Sequence, residues 1–274
     1  MEGVLLCIAA TVRLNIATLN PDSFSSRLAN MVPAITILPF VSSYAYTDSA
    51  RCPMRLPSAL LAVLLLAGSA SAADKPPLAL ADLPGPFTWQ NQPADYRAEN
   101  SFTLSIPAGR ATDWFVSPMD GARRDNSPRL LFTPAPDFVL SAKVTAQFHA
   151  QRDGGGLVLY VNDGLWAKLA VERAANQHAT IVSVVTRGRS DDNNSIPLTG
   201  PSIYLKMARA GDAIFFYASE DGVKWFVVRT FSLGDAKDLR AGFTSQSPLG
   251  QGCTTRFDEI KYAARRINLW TGDN

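Results

Sequence analysis

Trp166, Lys168, Ala170 and Glu172 fall at every second position of an apolar segment, so an extended chain puts all four on one face and Ala167, Leu169 and Val171 on the other. A Trp beside charged, hydrogen-bonding groups is the combination that sugar recognition uses: the ring stacks on pyranose C–H faces while Lys and Glu satisfy hydroxyls. The competing reading is a Lys–Glu surface pair with the Trp as a lid. A second polar group follows. Arg187, Ser190, Asp191, Asp192, Asn193 and Asn194 read as a loop after an apolar strand, suited to hydroxyl binding or to an Asx-rich turn. As a calcium site it is weak, because its spacing matches no EF-hand loop.

Other chemistries find less support. Retaining glycan hydrolysis needs two carboxylates about 5–5.5 Å apart, and Glu172 is the only one on its strand. A partner would have to come from Asp191, Asp192, Asp120 or Asp125 through the tertiary structure. His149 and His178 have no Cys or carboxylate at motif spacing, which disfavours zinc and Ser-His-Asp chemistry. Gly154-Gly155-Gly156 lacks the Lys-Ser/Thr and the helix of a phosphate loop, so a turn or close sheet packing accounts for it. Cys253, in a Gly-rich loop, is either a reactive thiol or an inert small residue.

The elements that must position these groups read as strands. Phe138, Leu140, Ala142, Val144, Ala146 and Phe148 alternate with polar residues, the period of a half-buried strand. Similar segments are Ser101–Ile106, Asp113–Ser117, Arg129–Phe132, Leu157–Asn162, Trp166–Arg173, Thr180–Arg187, Ser202–Arg209, Ala213–Ser219, Lys224–Ser232, Arg240–Ser245 and Thr254–Tyr262. Turn residues such as Asn162-Asp163-Gly164 and Glu220-Asp221-Gly222 separate them. With no amphipathic helix, the pattern predicts an all-β, two-sheet antiparallel sandwich of jelly-roll type.

The first residues differ from the rest. Met54-Arg55, the apolar run Leu60–Ala67 and the exit Gly68-Ser69-Ala70-Ser71-Ala72 form a secretory signal pattern, too short to span a bilayer. Residues 1–53 then read as a mis-called extension, 54–72 as the signal peptide, 73–86 as a linker or edge segment, 87–264 as the sandwich and 265–274 as a tail. The expected location is secreted or periplasmic, with no membrane span after cleavage. Two of the three cysteines, Cys7 and Cys52, precede the cleavage point, so no disulfide is expected in the remainder. The 26 Lys and Arg against 24 Asp and Glu argue against a nucleic-acid partner.

Thr112-Asp113-Trp114-Phe115, Asp137-Phe138, the block from Gly154 to Asp192, Gly242-Phe243, Ser247-Pro248 and Phe257-Asp258 carry a family likeness. From about Trp89 to Tyr262 the chain resembles the domain-of-unknown-function family named after the yeast regulation-of-enolase protein. That resemblance implies the concanavalin A-like lectin and glucanase fold. The family commonly has a Trp where this chain has Asp192-Asn193-Asn194, so no aromatic contact is carried over there. The enolase link is not carried over either, since enolase is cytosolic and this chain has an export pattern. Because this fold hosts lectins, hydrolases and structural modules, function rests on the site. The expectation is a carbohydrate-binding face without assured catalysis, lined by Trp114, Trp166, Lys168, Glu172, Arg187, Asp191 and Tyr204. The alternatives are a glycan hydrolase using Glu172 with a nearby Asp, and a structural or protein-interaction module of the cell envelope.

Overall fold

The computed structural model describes residues 78–80 and 82–273, so the segments read as extension and signal peptide lie outside the described residues. Within them are sixteen strands and no helix. In chain order these are β1 (Thr88–Gln90), β2 (Arg97–Asn100), β3 (Thr103–Gly109), β4 (Trp114–Val116), β5 (Arg123–Asp125), β6 (Arg129–Phe132), β7 (Phe138–Ala146) and β8 (Gly154–Asn162). The second half continues with β9 (Leu165–Arg173), β10 (Ala179–Arg187), β11 (Arg189–Pro197), β12 (Ile203–Ala210), β13 (Ala213–Ser219), β14 (Phe226–Phe231), β15 (Arg240–Gln246) and β16 (Gly252–Ala263).

Two seven-stranded antiparallel sheets form the sandwich expected from the sequence. The first runs β1-β6-β15-β8-β9-β10-β11 and the second β14-β13-β12-β7-β16-β3-β2, while β4 and β5 make a separate hairpin. The alternating residues of β7 behave as their period requires, with Phe138, Leu140, Ala142, Val144 and Ala146 buried between the sheets. Across from them Leu157, Leu159, Ala167, Leu169, Val171 and Val185 complete the main core. Each fully buried Leu, Val or Phe contributes about 1.5–3 kcal/mol relative to exposure.

Strands β8, β9 and β10 are apolar on both faces, and the second face needs its own cover. A second cluster of Trp114, Val116, Leu131, Val158, Tyr160, Trp166, Val182 and Val184 lies on the outer side of the first sheet, beneath the β4–β5 hairpin. The glycines of β8 answer to close packing: a Cβ on Gly156 would lie 2.0 Å from the Leu169 carbonyl oxygen, inside its van der Waals radius. A phosphate loop is not what they build.

Two readings of the chain ends change. Leu80 and Leu83, in the segment read as a linker or edge, are buried in the main core. Ile267 and Leu269, in the segment read as a tail, pack with Ala208, Phe215 and Tyr217 on the outer side of the second sheet.

Candidate functional site

The β4–β5 hairpin decides which face of the first sheet stays open. Its three-residue strand alternates, so Trp114 and Val116 turn inward and Phe115 turns out. The Val116 amide donates to Ser190 Oγ at 2.9 Å, and Ser190 Oγ in turn lies 2.8 Å from Thr186 Oγ1, which fixes the hairpin over β10 and β11. Trp114 stacks on Trp166 with ring centroids 3.9 Å apart, and the Arg129 guanidinium lies 4.4 Å from the Trp114 ring. At 1% and 0% exposed, neither Trp offers a ring to a ligand.

Where the hairpin ends, the outer face opens into a cleft of about 870 Å³. Lys168 and Glu172, four residues apart on β9, are separated by roughly 13 Å of extended chain. They meet because both lean over the small Ala170 between them. Lys168 Nζ lies 3.3 Å from Glu172 Oε1 and donates to Gln246 Oε1 at 2.8 Å, while Gln246 Nε2 donates to the Arg152 carbonyl at 3.2 Å. The Lys168 and Glu172 side chains are only 3% and 12% exposed, so this polar set is the floor of the cleft. Phe115, Asp113, Asp192 and Asn194 line its walls.

One buried cation among three carboxylates sets the protonation behaviour. Burial disfavours the charged form of Lys168, but Glu172, Asp113 and Asp192 outweigh it and hold the ammonium above its ordinary value. Burial raises Glu172, and the neighbouring Asp192 and Asp113 carboxylates add to that effect against the attraction of Lys168. Glu172 is therefore held above the ordinary carboxylate range.

Of the seven residues expected to share a face, Lys168 and Glu172 alone line this cleft. Trp114 and Trp166 are corrected from open platforms to a buried stack, because the hairpin closes over them. Asp191 and Asp192 do not lie in a loop. They belong to edge strand β11, where Asp191 pairs in register with core residue Val185, and the period of two sends adjacent side chains to opposite faces. Asp191 therefore meets Arg229 at 2.8 Å, away from Glu172. Arg187 is exposed at the end of β10 and donates to the Ser232 carbonyl. Tyr204 sits on the second sheet, donates to Glu259 at 2.8 Å and lines a separate pocket.

The other candidate carboxylates have structural partners. Asp125 pairs with Arg129 at 2.7 Å, and Asp120 accepts the Ala122 amide at 3.0 Å. Among the described residues no group of three or more His, Cys, Asp or Glu could hold a metal ion. Burial pushes the Cys253 thiol up to about 12, so of its two readings the inert one fits a neutral, buried sulfur. Phe115, Gln246 and Asp192 were absent from the expected face. Phe115 was legible in the strict alternation of Trp114, Phe115 and Val116; Gln246 and Asp192 reach the cleft through strand pairing that no local pattern announces.

The family described as "Protein of unknown function (DUF1349)" matches residues 89–265. The curated "Regulation of enolase protein 1" of Saccharomyces cerevisiae is 22% identical over 178 residues, 65% of this chain and 89% of that protein. A crystal structure of a functionally unknown protein from Saccharomyces cerevisiae superposes with a TM-score of 0.61 at 22% identity, covering 66% of this chain and 97% of the other. A protein described as bifunctional GH43-CE from Bacteroides eggerthii superposes with a TM-score of 0.53 at 18% identity, over 68% of this chain and 24% of its own length. At these identities the likeness is one of fold.

Proposed function

The chain belongs to the DUF1349 family, and from that premise we propose that it binds a carbohydrate or other polyhydroxylated ligand in the Lys168–Glu172 cleft without transforming it. The observation that carries this reading is the buried polar floor of an open cleft, set beside the outward ring of Phe115. Burying an ammonium and a carboxyl costs stability unless they are paired, and their packing alone would be served as well by apolar side chains. Positioned donors and acceptors next to an aromatic ring match what a sugar presents, hydroxyls at its edge and C–H groups on its face. The export pattern read at residues 54–72 fits a ligand met outside the cytosol.

The hydrolase alternative is weaker. A general acid must reach the glycosidic oxygen, whereas Glu172 faces Lys168 at 3.3 Å and is nearly enclosed. Phe115→Ala tests the binding reading. Binding on a glycan array should be lost while the thermal midpoint moves by no more than a few degrees, because Phe115 lies outside the buried clusters. Glycan binding that survives the removal of this ring would sink the proposed site.

A further inference from the structure

We infer that the ligand of this cleft is an acidic glycan, one whose sugar rings carry an anionic substituent such as a carboxylate. The inference rests on the binding reading above and deepens it. Phe115 and Arg124 are direct partners in the β4–β5 register, so their side chains stand on the same face of the hairpin, toward the cleft. A sugar stacked on Phe115 therefore has a guanidinium at its edge. Arg152 and Arg173 also line the cleft, and the Arg152 amide donates to the Arg173 carbonyl at 2.7 Å.

Among the described residues none of these three guanidinium groups has a hydrogen-bonding or ion-pair partner. Several arginines elsewhere are committed to carboxylates: Arg129 to Asp125, Arg229 to Asp191, Arg256 to Glu99 and Asp258, Arg266 to Asp137. The cleft carboxylates are more occupied than its arginines. Glu172 faces Lys168, Asp113 accepts the Trp114 amide at 2.7 Å, and Asp120 accepts the Ala122 amide. Asp192 has no such partner, and the four carboxylates and four cations that line the cleft balance in charge; what the arginines offer a ligand is three unbonded guanidinium forks. Guanidinium presents a planar fork that matches carboxylate and sulfate oxygens in pairs, which makes a ring-borne anion the complementary group.

Arg152 is also held in an unusual backbone state. Its φ is +67°, a region that side chains rarely adopt, and its carbonyl is fixed by Gln246 of the cleft floor. The same glutamine thus holds both Lys168 and the Arg152 backbone, tying floor to rim.

Calorimetric titration of the full chain with oligogalacturonate, its methyl ester and a sulfated oligosaccharide of equal length tests this. The acid or the sulfated form should bind at least about tenfold more tightly than the ester, the worth of one charge-assisted hydrogen bond. Whichever of the two binds identifies the source of the negative charge. The Arg124→Gln/Arg152→Gln/Arg173→Gln variant should fall to the affinity of the ester, and Arg152→Gln alone should lose part of it, with unchanged circular dichroism. Equal affinity for acid and ester, unaffected by the arginine changes but lost in Phe115→Ala, overturns the acidic-ligand inference and leaves carbohydrate binding standing. No binding of any glycan overturns both.

Discussion

Trp166→Ala is expected to destabilise the sandwich by about 3–5 kcal/mol, the range for removing a large aromatic from a packed interior. The ring is fully enclosed and stacked at 3.9 Å on Trp114, so its loss opens a cavity between β9 and the hairpin instead of baring a surface. The stack itself adds about 0.5–1.5 kcal/mol beyond the area buried. A double-mutant cycle with Trp114→Ala should therefore return a coupling of that size, since the two rings share one site. Urea unfolding is the measurement. The denaturation midpoint should fall with little change in slope, because the surface exposed on unfolding is nearly the same. A loss under about 1 kcal/mol, accompanied by loss of glycan binding, would restore Trp166 as an open platform and refute the buried stack.

The contrast between Trp166 and Phe115 shows what the sequence makes legible. Strand period is local, so the alternation of β7 and of Trp166 to Glu172 could be read without any partner strand. That suffices for the class of fold. Whether an outward face meets water is a tertiary fact. The apolar Val158, Val182 and Val184 on the outer side of the first sheet predict some cover, but only the pairing of β4 with β5 shows that Trp114 supplies it. Local pattern therefore placed Trp166 and Lys168 on one face correctly and misjudged what lies over the ring.

Edge strand β11 was missed for a related reason. Its residues, Arg189–Pro197, are almost all polar, and such composition resembles a turn as much as a strand. Its ladder comes from β10, and its charges protect the free edge from further pairing. Once the strand is recognised, Asp192 moves into the cleft and Asp191 out of it. The presence of the Asp192 carboxylate beside Lys168 and Glu172 depends on that single register.

Lys168→Met is expected to cost about 3–5 kcal/mol at pH 8, because it keeps the aliphatic stem and leaves Glu172 buried without its cation. The deficit should depend on pH, with a definite sign. Glu172 already has a folded-state pKa above its ordinary 4.5, and removing Lys168 leaves only the raising influences of burial, Asp113 and Asp192. Between 4.5 and the folded value the native state then binds more protons than the unfolded chain. Stability must therefore fall as pH rises through that window. Near pH 4.5 Glu172 is protonated in the folded variant and the deficit should shrink. Adding Glu172→Gln should recover most of the loss at pH 8 and flatten the profile, since an amide needs no counter-charge. Denaturant unfolding of wild type, the single and the double variant across pH 4.5–8 reads out all three expectations. A deficit that stays constant with pH would mean that Lys168 contributes only packing and its bond to Gln246, and that Glu172 is not held above the ordinary carboxylate range.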